Sequence, residues 1–249
     1  MDDQNLIEAV EAAALNAWTA PCQVMYDGWL LRITGGDSKR VNSVNVHARS
    51  SLPLDEKIMT CEGIYQRFGQ PCLFRLPEPF ASPALRQTLA NAGYVEFDPT
   101  HVLGRAIPAS EDLPDGVVLR ALNLQDWLEV RSWVSGIPLI RLVYHAKVLE
   151  VILPEKVLMG LFVRGKPAAC GMGVVEGNFL GYFSIYTHKT WRRRDYACAM
   201  MSALSEWGRE KGAAYGYLQV EGDNLPALRL YEKLGFKRLY TYSYWKPAK

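Results

Sequence analysis

The stretch that decides the fold runs from residue 186 to residue 236. It contains Trp191-Arg192-Arg193-Arg194-Asp195-Tyr196-Ala197 and, further on, Asn224-Leu225-Pro226-Ala227-Leu228-Arg229-Leu230-Tyr231-Glu232-Lys233-Leu234-Gly235-Phe236. The apolar segment 179–187 reads as a strand and leads into the basic turn. From Tyr196 to Lys211 the spacing predicts an amphipathic helix. Ala199, Met200, Ala203, Leu204 and Trp207 fall on one face and Glu206, Arg209, Glu210 and Lys211 on another. A helix that starts just after a strand presents unpaired N–H groups and a positive dipole end, a good place for a phosphate. A strand at 217–220, a helix at 226–234 closed by Gly235, and a strand at 239–245 complete the stretch.

Working outward, residues 5–18 read as an amphipathic helix, 28–33 as a strand turning at Gly35-Gly36, and 41–46 as its hairpin partner. Helices are expected at 54–68 and at 84–92, the second closed by Gly93, and strands at 72–76 and 102–107. The polar segment 109–116 is expected to link two halves, 1–108 and 117–249. Beyond it come a strand at 117–119, a helix capped by Asn123 or Asp126, a second helical stretch at 139–151, and strands at 157–163 and 168–175. Alternating strands and helices imply an α/β fold with helices on both faces of a sheet. A faint internal repeat also appears. Pro83-Ala84-Leu85-Arg86, Gly93-Tyr94 and a strand resemble Pro226-Ala227-Leu228-Arg229, Gly235-Phe236 and a strand, with spacing that differs by one residue.

Composition narrows the function. Of the 249 residues, 49% are apolar and 22% charged, as in ordinary globular proteins. A net charge of +2 gives no footing for nucleic acid or a polybasic membrane patch. No apolar run reaches the roughly 20 residues of a membrane helix, and the start of the sequence lacks a signal-peptide pattern. A cytoplasmic protein is expected. Five cysteines without a CxxC pair suggest neither zinc nor a disulfide framework, and the four histidines show no metal-ligand spacing. Gly171-Met172-Gly173, inside a strand pattern, reads as close packing rather than a phosphate loop. Trp29, Lys39 and Arg40 are open to two readings, a substrate surface or one charged hairpin face.

The 186–236 stretch resembles the acyl-CoA-binding half of the GNAT family of N-acetyltransferases. The resemblance extends over about residues 117–245. It implies a mixed central sheet with a V-shaped opening that takes the pantetheine arm. If the internal repeat is real rather than a chance similarity, the first half is a degenerate copy of the same fold, so that two GNAT-like halves stand in tandem. The implied diphosphate grip is Arg192-Arg193-Arg194-Asp195-Tyr196-Ala197. Arg192 and Ala197 match the family pattern, whereas Asp195 stands where its first glycine belongs. Thioester polarisation falls by resemblance to backbone N–H groups of Ile185, Tyr186 and Thr187, Asn224 to a position that holds the pantetheine, and Tyr231 to the proton donor for the departing thiolate. Residue chemistry alone leaves a solvated basic turn, a core-filling Tyr231 and an N-cap at Asn224 open, the last compatible with a binding role. A base for the acceptor amine is not identifiable. Glu221, His145, Tyr182 and Glu176 qualify by type only.

The implied activity is acetyl-CoA-dependent acetylation of a primary amine, by direct transfer in a ternary complex. Acetyl-CoA and an amine are the expected partners, without metal, nucleic acid or membrane. A non-catalytic acyl-CoA-binding or regulatory module is the alternative, motivated by Asp195 and by the lack of any Asp or Glu from 177 to 194. An aminoacyl-tRNA-using transferase would want a broad basic surface, which +2 does not supply.

Overall fold

The structure is a computed structural model that describes residues 3–48, 50–109 and 117–248. The first half runs α1 (Asp3–Ala17), β1 (Cys22–Tyr26), β2 (Trp29–Ile33), β3 (Val44–Val46), α2 (Leu54–Arg67), β4 (Phe74–Pro77), α3 (Pro83–Asn91) and β5 (Tyr94–Ala106). The second runs β6 (Val118–Ala121), α4 (Leu124–Ser135), α5 (Val143–Glu150), β7 (Glu155–Val163), β8 (Lys166–Glu176), β9 (Phe179–Thr187), α6 (Tyr196–Glu210), β10 (Tyr215–Glu221), α7 (Leu225–Lys233) and β11 (Lys237–Pro247). Apart from Ala109, the expected linker lies outside the described residues.

Among the described residues the strands form a single 11-stranded mixed sheet in the order β1-β2-β3-β4-β11-β5-β10-β9-β8-β7-β6. The order is symmetric about the β11–β5 pair, with β6 as one extra strand at the far edge. In the first half β3 and β4 are parallel and joined through α2; in the second, β9 and β10 are parallel and joined through α6. Each half then sends its last strand to the other. β5 pairs antiparallel with β10 and β11 antiparallel with β4, while β5 and β11 pair with each other.

The internal repeat takes a cleaner register in three dimensions. Ser82 and Asn224 both cap their helices, accepting from Leu85 N–H and Ala227 N–H. Gly93 and Gly235 follow at equal spacing with φ of 81° and 79°. The one-residue mismatch of the proline-based alignment therefore disappears. Pro83 is aligned with Leu225, and the two prolines sit in adjacent positions of the first turn, where a missing N–H costs nothing.

Period-two alternation sends opposite sides of the strands into different cores. Cys170, Met172 and Val174 of β8 and Tyr240, Tyr242 and Tyr244 of β11 pack with α1, α4 and α5. Leu180 and Tyr182 of β9 pack with the buried face of α6, which includes Ala199, Met200, Ala203 and Leu204. A third core gathers β2, β3 and β4 under α2 and α3. Gly171 and Gly173 are close-packing positions. A Cβ on Gly171 would lie 2.8 Å from Ile185 and Met200, and one on Gly173 3.1 Å from Trp207. Trp29 is buried in the third core under the Lys57 ammonium, 3.6 Å from its ring centre, and so is not a substrate surface.

Candidate active site

The parallel pairing of β9 with β10 runs only from Phe179↔Tyr215 to Tyr182↔Leu218. Beyond that point each strand follows its other neighbour. β9 stays with β8 as far as Thr187↔Ala169, and β10 stays with β5 as far as Glu221↔Thr100. Two strands held by different partners must diverge, and the result is a wedge. Its β9 wall carries a register shift opposite Cys170–Met172 and a left-handed Ser184 (φ 51°). His188 N–H donates to Ala168 O on the β8 side. Strand alternation therefore turns the N–H groups of Thr187 and Ile185 towards the opened edge.

The wedge opens into a cleft of about 540 Å³. Ile185, Tyr186, Asn224 and Tyr231 all line it, four residues singled out in the sequence. Asn224 is also the cap of α7, its Oδ1 accepting from Ala227 N–H at 3.3 Å, so the two readings of this residue coexist. Tyr231 is 9% exposed and packs edge-on against Phe236 at 5.9 Å. Burial, with Tyr186 nearby, pushes its phenol up to about 12. The hydroxyl therefore keeps its proton throughout the neutral range.

Thr187, with a buried hydroxyl, ends β9. A short 3-10 turn, Lys189–Trp191, leads to Arg192, Arg193 and Arg194, all exposed. Arg192 Nε lies 3.4 Å from Thr187 O and the Arg194 guanidinium 5.4 Å from the Trp191 ring. None of the three is ion-paired among the described residues. Asp195 is the N-cap residue of α6 in left-handed backbone (φ 56°, ψ 14°), the geometry that makes glycine the easy choice there and aspartate a tolerated one. Its side chain caps nothing and lies 3.8 Å from Lys233 Nζ, not against the arginines. The first intrahelical bond is Ala199 N–H to Asp195 O, so the N–H groups of Tyr196, Ala197 and Cys198 precede the helical ladder.

The first half contributes the facing wall. Lys39 and Arg40 line the cleft with Trp18, Asp98 and Thr100. Lys39 is ion-paired with Asp98; Arg40 stacks over Trp18 and donates to Gln219 Oε1 at 3.2 Å. Arg32, buried beneath, donates to the carbonyls of Leu15 (2.7 Å) and Trp18 (3.0 Å), which fixes the end of α1 and so the indole. Of the base candidates, Glu221, Tyr182 and His145 line the cleft. Glu176 is elsewhere, accepting from Asn16 at 2.8 Å. Burial, with Arg131 and Arg40, lowers His145 to about 3, and the Tyr182 hydroxyl is bonded to Ser205 Oγ at 2.7 Å. Glu221 is the exposed carboxylate at the end of β10. Trp18, Asp98 and Arg131 were not apparent in the sequence as site residues. The only available trace was their large or charged side chains next to apolar segments.

The family model described as "Probable histone acetyltransferase Rv0428c C-terminal" matches residues 5–245. The chain belongs to the GNAT N-acetyltransferases. As a GNAT protein it is 27% identical over 259 residues to the uncharacterized N-acetyltransferase YobR of Bacillus subtilis (strain 168), with 98% of each chain covered. A GCN5-related N-acetyltransferase from Kribbella flavida superposes with a TM-score of 0.75 at 14% identity, over 97% of this chain and 95% of that one. A tandem GNAT protein from the clavulanic acid biosynthesis pathway gives 0.66 at 10% identity, over 100% and 90%. These likenesses extend over both halves of this GNAT chain. No helix among the described residues is long and apolar enough to cross a membrane, and no group of three or more His, Cys, Asp or Glu among them could hold a metal ion.

Proposed function

We propose that this N-acetyltransferase takes its acetyl group from acetyl-CoA and passes it directly to a primary amine bound in the same cleft. The observation that carries the reading is the wedge between β9 and β10, which opens into the cleft lined by Tyr186, Asn224 and Tyr231. An extended thiol arm fits a gap whose walls offer unpaired strand N–H groups. Its diphosphate fits the N–H groups of residues 196–198 and the unpaired Arg192, Arg193 and Arg194.

In this reading the amine nitrogen forms a bond to the acetyl carbon while the carbon–sulfur bond breaks. N–H groups of β9 stabilise charge on the carbonyl oxygen, a contribution of about 3 kcal/mol in comparable sites. Tyr231, still protonated, supplies the proton that the thiolate takes up. The proton lost by the amine passes to Glu221, directly or through one water. Asp98 is engaged by Lys39, and His145 is too weak a base. Proximity of two bound reactants supplies most of the acceleration.

The test is a calorimetric titration with CoA combined with a thiol-release assay over a panel of amines. Saturable CoA binding with turnover on at least one amine is expected. Tight binding without turnover on any acceptor would favour a binding module instead, and no binding would remove the reading altogether.

A further inference from the structure

Arg131 is a cleft cation with no carboxylate partner among the described residues. It lies on the buried face of α4, 4% exposed, with its guanidinium 3.6 Å from the centre of the Tyr186 ring. Its Nε and Nη1 are buried without a hydrogen-bond acceptor, and among the described residues no carboxylate pairs with it. The contrast with its neighbours is direct, since Lys39 has Asp98 and Arg40 has Gln219. Buried polar groups are almost always satisfied, and an unpartnered buried charge is costly to keep. Loss of the charge would relieve that cost, so a functional use is the natural account of its retention.

Two further observations point to a ligand. His145 Nε2 is a second buried polar atom without a partner, on a ring held between Trp18 (5.0 Å) and Trp127 (5.7 Å). Arg131 and His145 both line the 540 Å³ cleft and also an adjoining cavity of about 390 Å³ bounded by Thr34, Tyr144 and Val148. The two unsatisfied groups therefore stand at the wall shared by the two spaces, beside Tyr186 of β9.

We propose that Arg131 anchors the acceptor, and that the acceptor is a small amine bearing a carboxylate. The planar guanidinium fork suits a carboxylate, and the unpartnered ring nitrogen of His145 offers a second polar contact. Anchored there, the acceptor's amine end extends past Tyr186 into the wedge. This assignment rests on the transferase reading above and gives it a substrate class.

The experiment compares matched acids and amides: glycine with glycinamide, β-alanine with its amide, γ-aminobutyrate with its amide, and lysine with lysinamide. Thiol release is measured for the wild type, Arg131→Met and Arg131→Lys. For the accepted pair the acid is expected to exceed the amide in kcat/KM by at least about tenfold, mostly through KM. Arg131→Met should bring the two level, and Arg131→Lys should restore part of the gap. Amides that match or exceed their acids would overturn the anchor. If no amine on the panel reacts, the anchor is read independently in the CoA-loaded wild type. The Nε–Hε resonance of Arg131 is followed by NMR during titration with propionate, glutarate and N-acetyl-β-alanine. A saturable shift supports the anchor; silence with all three rejects it. Melting separates a ligand group from a structural strut. Arg131→Met should melt at or above the wild-type temperature, and a clear loss would assign Arg131 to the scaffold.

Discussion

Asp195 and Tyr231 carry the sharpest expectations at the scale of single residues. Asp195 holds a left-handed backbone, and its carboxylate meets only the exposed Lys233 ammonium and the Cys198 thiol (3.9 Å), contacts worth little in water. Asp195→Gly therefore removes a Cβ and a negative charge from the turn at almost no structural cost, and CoA should bind more tightly by calorimetry. Asp195→Ala should lower stability by about 1 kcal/mol in denaturant melts, because alanine in left-handed backbone is strained. For Tyr231→Phe, thiol-release assays should show turnover down by about 10- to 1000-fold with CoA affinity little changed. Unchanged turnover would remove the hydroxyl from the chemistry. Tyr231 and Asn224 were legible in the sequence through the family resemblance of the 224–236 run, and both line the cleft. Arg131, Trp18 and Asp98 were not. They come from elements remote in sequence, and only the crossing of β5 and β11 brings them to one cleft.

The two copies differ at the turns into their crossover helices, the turn into α2 and the turn into α6. In the first half the turn is already occupied from within. The Asp27 carboxylate accepts from Ser51 N–H (3.0 and 3.1 Å), Leu52 N–H (2.9 Å) and the hydroxyls of Ser50 (2.7 Å) and Ser51 (2.6 Å), with the buried Lys57 ammonium at 3.2 Å. The side chain takes the role that an external anion would take at the open turn before α6. Those hydrogen bonds, first from Ser51, hold its carboxyl well below the usual carboxylate range. The depressed value fixes the sign of a pH effect. Asp27 adds stability that is fully present above its unfolded value of about 3.9 and is lost as pH falls towards the folded value. The stability gap between wild type and Asp27→Asn in urea melts should be constant from pH 5 to 8 and shrink below pH 4. A gap independent of pH would refute this. Element boundaries show where sequence patterns stop helping. The face of α6 followed a 3.6-residue period and was readable throughout. The first part of β5 was missed because Glu96, left-handed Asp98 and Pro99 interrupt its alternation. β1 was missed because its exposed edge strand has no buried face to give it a period.

At the scale of the whole molecule, exchange of the last strands makes each half incomplete without the other. A fragment of residues 117–249 would lack β5, which pairs with β10 and so holds one wall of the wedge. A fragment of residues 1–108 would lack β11 against β4, and also Tyr240, whose hydroxyl bonds to buried Glu11 beside Arg75. Each fragment alone should give no cooperative melt and no CoA binding, whereas co-expression should restore both. Independent two-state melting of either fragment, followed by circular dichroism, would contradict this. An α/β sheet was readable from alternating elements and its mixed character from the family resemblance, but the exchange was not. Strand order is set by contacts between β4 and β11 and between β5 and β10, and no local pattern in those strands names a partner.

The position of β11 has a consequence for biosynthesis. While a ribosome is still translating the second half, β4 carries an unprotected edge, and its partner, residues 242–245, does not exist until residue 245 has been added. Folding of the amino-terminal segment must therefore wait until β11 has been made, an interval in which exposed sheet invites misassociation. A stop codon just upstream of residue 237 should consequently be as damaging to solubility as one at residue 117.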